Sequence, residues 1–209
     1  MFLINYLTLF TVEMLILEEK EVFIFIEGDI IDFVPCNSDN LSLYAKWIND
    51  PKVRKYSRNE LPLTIEEVKK RYFPPEEKEN TWRETIAFEL YHKKDEKIIG
   101  VTGLSHIKWI TGWANAFLMI GEVSYWNKNL ATEATKMLLK YGFDELNLHK
   151  ISAGIAVDNE GSWRVAEKTG FTFEGLVKQD FYVDGKYLDT KKYYYLKEDW
   201  IKIKENTNK

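Results

Sequence analysis

The most informative segment of the chain reads Ile120-Gly-Glu-Val-Ser-Tyr-Trp-Asn-Lys-Asn-Leu-Ala-Thr-Glu-Ala134. An apolar run over residues 116–120 leads into it and predicts a buried strand that ends at Gly121. After a short loop, a helix is predicted from Thr132, because apolar residues recur at positions 134, 137, 138 and 141. The first amides of a helix lack internal partners and carry partial positive charge, so a strand, a tight loop and a helix N-terminus form a site for anions. The segment therefore predicts a loop that holds a group such as pyrophosphate, or else an ordinary strand-to-helix connection.

The composition bounds the class of protein. The chain has 209 residues, of which 45% are hydrophobic, and this is enough for one domain with a sizeable core. Its net charge of −4 argues against a nucleic-acid binder that uses a broad basic face. The single cysteine, Cys36, excludes an internal disulfide and a cysteine-based zinc site, and the three histidines are too scattered to predict a metal site. We expect a cytoplasmic protein without a bound metal.

The N-terminal residues are strongly apolar as far as Leu17. They lack the basic start and the small-residue cleavage site of a signal peptide, and Glu13 interrupts them. They are also too short and too interrupted to predict a membrane span. We expect residues 1–20 to form an apolar extension that packs on the domain or on a second copy, with export or membrane anchoring as the alternative.

The residues before the central segment predict antiparallel strands and two helices. Residues 21–34 read as a hairpin around a glycine turn, and residues 41–48 read as a helix with apolar residues at positions 41, 44, 45 and 48. A capping box at Thr64 starts the second helix. Residues 85–91 and 97–104 then read as a second pair of strands.

The residues after the central helix complete a mixed sheet. Residues 149–157 predict a strand that lies parallel to the strand before the loop, because a helix connects the two. A short helix is predicted over Trp163 to Lys168, and Asp184-Gly185 is a strong hairpin turn between two further strands. A terminal helix is predicted from Lys197.

Several motifs together resemble one family. The segment from Ile120 to Ala134 resembles the acetyl-CoA loop of the GNAT superfamily of N-acetyltransferases, and residues 159–175 are similar to a later motif of that superfamily. Both are most similar to its branch of ribosomal-protein N-terminal alanine or serine acetyltransferases. Shorter motifs that also fit this branch are Asn49-Asp-Pro51, Ile99-Gly-Val-Thr-Gly-Leu104, Gly185-Lys-Tyr-Leu-Asp189 and Glu198-Asp-Trp200.

The resemblance implies a fold and an activity. The fold is a single α+β domain over residues 21–205, with a mixed, mostly antiparallel sheet that splays at the cofactor strand and is flanked by helices. The activity is direct transfer of an acetyl group from acetyl-CoA to a primary amine, on a protein N-terminus or a small molecule. A non-catalytic acyl-CoA-binding or protein-interaction module on the same fold is the alternative. The expected partners are acetyl-CoA and the amine, without nucleic acid or membrane, and the expected state is a monomer or homodimer.

The resemblance also implies where acetyl-CoA binds. Its pantetheine arm is expected to pair with strand backbone in the split, and its pyrophosphate with the amides of the loop. The implied residues are Met119, Ile120, Gly121, Trp126, Asn127, Lys128, Asn129, Leu130, Ala131, Thr132, Asn159 and Ser162. The family usually has glycine where this chain has Asn127 and Asn129. Asparagine is the next most tolerant residue of a positive φ, so we expect binding to survive and to be weakened.

The catalytic residues are less well defined by the resemblance. Many superfamily members protonate the leaving thiolate with a tyrosine, and Ala166 occupies that position here. Ser162 is the expected replacement, unless it only caps the following helix. Glu122, Asp180 or an ordered water chain is expected to accept the proton of the amine.

Three other residues are expected to have structural or acceptor-binding roles. No enzyme nucleophile is required for direct transfer, so we expect a structural role for Cys36. Trp109 and Trp113 flank a turn and are candidates for the acceptor pocket.

Overall fold

A computed structural model of the protein describes residues 22–56, 62–73 and 83–207. The predicted apolar extension over residues 1–20 lies outside the described residues. The seven strands of the described part, β1 to β7, are Ile31–Pro35, Ile86–His92, Lys97–Lys108, Trp113–Ile120, Lys150–Ala156, Thr172–Val183 and Lys186–Leu196. Its five α-helices, α1 to α5, are Leu41–Asn49, Ile65–Tyr72, Leu130–Lys140, Glu160–Lys168 and Lys197–Thr207.

The strands form one sheet that opens in its middle. The strand order is β1-β2-β3-β4-β5-β7-β6, and every neighbouring pair is antiparallel except β4 and β5. The parallel pairing of β4 with β5 joins only residues 113–115 to residues 150–152. Beyond that point the two strands separate, leaving residues 116–120 and 153–156 along a split. The predicted mixed, splayed sheet is confirmed, and the split begins midway along β4.

The helices cover the two faces of this sheet. On one face, helix α3 buries Leu130, Ala134 and Leu138 against the strands, and Tyr193 of β7 belongs to the same core. On the other face, Trp47 of α1 packs with Val68 of α2, Val101 of β3 and Met119 of β4. The split in the sheet therefore lies between the layer formed by α3 and the layer formed by α1 and α2. No helix in the described ranges is long and apolar enough to cross a bilayer.

The predicted helices are largely confirmed, with different starting points. The capping box forms as expected, since the Thr64 hydroxyl accepts from the Glu67 amide and the Glu67 carboxylate accepts from the Thr64 amide. Helix α3 begins at Leu130, two residues before the predicted start. The last turn of the predicted helix widens into a π-helical turn, Tyr141–Glu145, which buries Phe143.

The predicted hairpin over residues 21–34 is wrong in its first half. Within residues 22–34, which the structure describes, one isolated bridge, between Ile26 and Phe33, joins the two arms. The carboxylate of Glu133, in the first turn of α3, instead accepts from the amides of Asp29, Ile30 and Ile31 at 2.7, 2.8 and 3.3 Å. The start of β1 is therefore attached to the helix that follows the predicted acetyl-CoA loop.

Replacing Glu133 with alanine should detach the start of β1. Because hydrogen bonds to a charged acceptor contribute more than neutral ones, we expect a loss of about 1–3 kcal/mol in the free energy of unfolding. Amide hydrogen exchange at residues 29–31 should also become faster. A Lys136→Ala variant, altered on an exposed position of the same helix, is the matched control. Unchanged protection at residues 29–31 in the Glu133 variant would show that the carboxylate does not hold this strand.

Candidate active site

The loop between β4 and α3 has the geometry of an anion site. Asn127 and Asn129 adopt positive φ values of 60° and 61°, in the left-handed region. The amides of residues 127–131 donate no hydrogen bond to any other described residue. Backbone turns of this kind, followed by a helix N-terminus, concentrate unpaired N–H groups on one concave surface. The loop therefore has the form of a site for an anion such as pyrophosphate.

Asparagine replaces glycine here without filling the loop. The Asn129 side chain turns toward α4, where its Oδ1 accepts a hydrogen bond from Lys168 Nζ at 3.2 Å. The Asn129 carbonyl accepts from the amides of Thr132 and Glu133, which begins the helix. Lys128 Nζ lies 4.9 Å from the ring centre of Tyr125. No local pattern in the sequence indicated Lys168, because its approach to the loop depends on the packing of α4 against α3.

The backbone strain at Asn129 can be tested with two substitutions. Alanine has neither the freedom of glycine nor the local hydrogen bonding of asparagine, so a left-handed conformation costs it about 1–2 kcal/mol. We expect Asn129→Ala to weaken acetyl-CoA binding severalfold and Asn129→Gly to preserve or tighten it, as measured by isothermal titration calorimetry. Equal affinities for the alanine and glycine variants would show that strain at this position does not influence binding.

The free edge of β4 presents alternate backbone groups to the split. The Gly121 amide donates to the Ile99 carbonyl at 2.9 Å, so the backbone of residue 121 faces β3. Alternation then turns the backbone of Met119 toward β3 and that of Leu118 and Ile120 toward the split. The sequence analysis predicted that Met119 contacts acetyl-CoA and did not name Leu118. Because its backbone faces the split, Leu118 is better placed to pair with an extended substrate.

Two residues at the end of β4 restrict this edge. The indole Nε1 of Trp126 donates to the Ile120 carbonyl at 2.8 Å. Gly121 is buried against the indole of Trp47, and a Cβ added at this glycine would lie 2.0 Å from Trp47 Cδ2. The geometry therefore gives Gly121 a packing role, and its predicted contact with acetyl-CoA stays a prediction.

Across the split, Asn159 and Ser162 stand at the start of α4. The Asn159 side chain accepts from the Ser162 amide at 3.4 Å and caps the helix, which begins at Glu160, three residues before the predicted start. The alternative role of Ser162 as a helix cap is therefore wrong. The half-buried Ser162 lines the cleft, and its hydroxyl forms no hydrogen bond with another described residue. Ala166 also lines this wall.

The first predicted base, Glu122, is fixed by three donors. Its carboxylate accepts from Trp47 Nε1 at 3.0 Å, from Lys46 Nζ at 3.1 Å and from Lys97 Nζ at 3.2 Å. These hydrogen bonds, that of Trp47 foremost, lower the pKa of Glu122 to about 2. A carboxylate with so low a pKa is a weak base, so its predicted catalytic role is not favoured by the geometry.

Asp180, the second predicted base, is exposed on β6. It lies in the part of β6 where the register with β7 shifts, between Val177 and Phe181, and it does not line the cleft. The geometry therefore favours neither predicted carboxylate as the acceptor of the amine proton.

The ion pairs of Glu122 should make stability depend on pH. Because its pKa is lower in the folded protein than the ordinary value of 4.5, its stabilisation is complete above pH 4.5 and is lost as the pH falls toward 2. We expect Glu122→Gln to cost about 2–3 kcal/mol in the free energy of unfolding at pH 7 and much less near pH 2.5. Urea unfolding of both proteins at the two pH values measures this. A difference that does not change with pH would contradict the assignment.

Of the two tryptophans predicted for the acceptor pocket, only Trp113 lines the cleft. Trp113 lines the cleft, and its Nε1 donates to Ser152 Oγ at 2.9 Å. Trp109 donates to the Arg83 carbonyl at 2.9 Å and does not line the cleft. Burial raises the pKa of Cys36 to about 12, so its thiol stays protonated.

Comparison with known proteins agrees with this geometry. Residues 32–172 match the family model of the acetyltransferase (GNAT) domain. The chain is 33% identical over 109 residues to the probable N-acetyltransferase YjcK of Bacillus subtilis, covering 51% of this chain and 59% of that protein. It is 36% identical over 85 residues to the putative ribosomal N-acetyltransferase YdaF of the same organism, covering 38% of this chain and 46% of that protein. The chain thus spans about half the length of these two curated relatives.

The fold is also that of a solved acetyltransferase. The crystal structure of spermidine N-acetyltransferase from Vibrio cholerae, in complex with CoA and spermine, superposes with a TM-score of 0.74 at 23% identity. The superposition covers 82% of this chain and 98% of that one. Since the family model matches well over half of the sequence, the chain belongs to the GNAT family of acetyltransferases, as its motifs predicted.

Proposed function

We propose that this protein transfers the acetyl group of acetyl-CoA directly to a primary amine, and that the two substrates meet in the split between β4 and β5. The observation that carries the proposal is the row of unpartnered amides over residues 127–131 beside an open strand edge. The loop would bind the pyrophosphate, and the backbone of Leu118 and Ile120 would pair with the pantetheine arm. The N-acetyltransferase names of the relatives and the CoA complex of the solved structure support the same cosubstrate.

The proposed reaction needs two proton transfers. The amine nitrogen attacks the thioester carbonyl, the carbon–nitrogen bond forms and the carbon–sulfur bond breaks. The proton of the amine passes to a water chain, and Ser162 gives its proton to the leaving thiolate and regains one from solvent. Positioning of the two substrates supplies much of the rate, because a bimolecular step becomes effectively unimolecular in the site.

The acceptor is a protein N-terminus or a small-molecule amine, and we propose that it enters from the face covered by α1 and α2. Trp113, Ser152 and the neighbouring strands β5 and β7 form the wall on that side. We further propose that residues 21–205 form the catalytic domain of a cytoplasmic monomer or homodimer.

A two-step experiment tests the proposed function. Thermal unfolding with increasing acetyl-CoA should show a rising midpoint, because a ligand that binds only the folded state stabilises it. A thiol-release assay over a panel of peptide and small-molecule amines should then show turnover with at least one of them. Stabilisation without thiol release would support the alternative, a non-catalytic acyl-CoA-binding module. The absence of both would contradict the proposed cosubstrate.

A further inference from the structure

A polar pair on β7 faces the acceptor side of the split and has no part in the chemistry above. Tyr193 points into the core beneath α3, so alternation turns its neighbours Thr190 and Lys192 toward the face of α1 and α2. Tyr56, from the connection between these helices, packs against a cluster that contains Phe181 of β6 and Ala156 of β5, and Ala156 is the cross-strand partner of Thr190. Thr190 and Lys192 both line the cleft. We refer to them as the β7 pair.

Thr190 is a buried hydroxyl group without a partner. The residue is 1% exposed, and its Oγ1 forms no hydrogen bond in the described part of the chain. A buried polar group normally has a partner, because leaving it unpaired costs about 1–3 kcal/mol. A hydroxyl that lines a substrate cleft gains that partner when a ligand with hydrogen-bonding atoms enters.

Lys192 is a cation with space around it. Its direct cross-strand partners are Gly154 on β5 and Gly175 on β6, so neither of the two residues opposite it has a side chain. A Cβ added at Gly175 would meet no atom within 4 Å. Lys192 forms no ion pair in the described ranges, whereas the nearby Lys150 is paired with Glu174 at 2.7 Å. The strand that carries Lys192 is the neighbour of β5, which borders the split, and adjacent strands lie about 5 Å apart.

We infer that the β7 pair binds a carboxylate of the acceptor, so that the preferred substrate is an amine that also carries an anionic group. Lys192 would supply the charge, and the Thr190 hydroxyl would donate one hydrogen bond to the same group. This inference rests on the proposed function, since it names the class of amine that the site accepts.

The charge of this face disfavours a polyamine. Spermidine would bring two further cations beside an unpaired ammonium, and like charges in a partly buried cleft repel one another. Glu174, the acidic residue of the cleft that lies near Lys192, is already paired with Lys150. A carboxylate on the acceptor would instead pair with the Lys192 ammonium group and accept a hydrogen bond from the Thr190 hydroxyl. The acceptor is thus either a peptide whose first residues include an acidic one or a small amino acid.

The test compares acceptors that differ in one carboxylate. The probes are a tripeptide amide with aspartate at its second position, the same peptide with asparagine there, free aspartate, and spermidine. We expect kcat/KM to be at least tenfold higher for the aspartate peptide or free aspartate than for the asparagine peptide, and lowest for spermidine. A higher kcat/KM for the aspartate peptide than for free aspartate would indicate a peptide acceptor, and the reverse order would indicate a small-molecule acceptor.

Variants then assign the preference to the β7 pair. Lys192→Met should remove the preference and leave turnover of the asparagine peptide within twofold, and Lys192→Arg should restore most of it. Thr190→Val, which replaces an unpartnered hydroxyl with a methyl group of similar size, should reduce the preference severalfold without loss of thermal stability. Lys186→Met, at an exposed position of the same strand, is the matched control and should behave as wild type.

Calorimetric titration of the peptides into CoA-loaded protein separates the two proposals. A Lys192-dependent preference for the aspartate peptide supports the inference, even if no amine is turned over and the proposed function fails. Equal binding and equal turnover of the two peptides would overturn the inference, as would a preference for spermidine or a preference that persists in Lys192→Met. Turnover of amines would in those cases still support the proposed function.

Discussion

A Ser162→Ala variant should turn over about tenfold to a hundredfold more slowly than the wild-type protein, with its affinity for acetyl-CoA unchanged. The Ser162 hydroxyl stands in the cleft without a partner among the described residues, at the third position of α4. The N-terminus of a helix stabilises negative charge, so a proton donor at this place favours departure of a thiolate. A positioned general acid contributes a factor of about 10²–10⁴, and solvent water takes over part of this role when the hydroxyl is lost.

The design separates a chemical role of Ser162 from a structural one. Because Asn159 supplies the helix cap, the alanine variant should keep the thermal stability of the wild type. Ser162→Thr retains a hydroxyl and should recover most of the turnover. Steady-state kinetics gives kcat, and calorimetry gives the affinity for acetyl-CoA. Turnover equal to that of the wild type in Ser162→Ala would exclude this residue from the proton transfer.

A Gly121→Ala variant should lose about 2–3 kcal/mol of its free energy of unfolding, the cost of forcing an extra carbon into a close-packed contact. The new Cβ would lie 2.0 Å from the Trp47 indole. The indole cannot easily withdraw, because it is 1% exposed and its Nε1 is hydrogen-bonded to Glu122 at 3.0 Å. The contact joins α1 to the end of β4, so the acceptor side of the split should be disturbed as well.

Urea unfolding measures this loss, and a second glycine provides the control. A Cβ added at Gly161, in the first turn of α4, would meet no atom within 4 Å. Gly161→Ala should therefore leave the stability unchanged or raise it by up to about 1 kcal/mol, the difference in helix propensity. Equal stabilities of the two variants would mean that the contact between Gly121 and Trp47 relaxes without cost.

Local signals in the sequence were enough for the fold and for the loop. The apolar run before Gly121, the turn-rich segment after it and the helical period that follows predicted the strand, the loop and α3. The resemblance placed Asn127 and Asn129 at glycine positions of the family, and both lie in the left-handed region that asparagine tolerates next best after glycine. These features depend on neighbouring residues, so a single sequence contains them.

The rest depends on contacts between distant residues. Glu122 accepts from Trp47, which is 75 positions earlier in the chain, and this pairing decides its pKa. Whether Leu118 or Met119 faces the split depends on the register of β4 against β3, which no local pattern specifies. The exposure of Asp180 follows from a register shift between β6 and β7. Hydrophobic periodicity and amino-acid composition do not specify these contacts between distant residues.

The split has a consequence for the behaviour of the protein without its substrate. Each of its two sides is an unpaired strand edge inside the molecule, and unpaired edges are where foreign strands add and where aggregation begins. An extended substrate that pairs with β4 acts as the missing strand and removes one of these edges. The proposed cosubstrate, acetyl-CoA, should therefore protect the protein from aggregation by more than its binding energy alone provides.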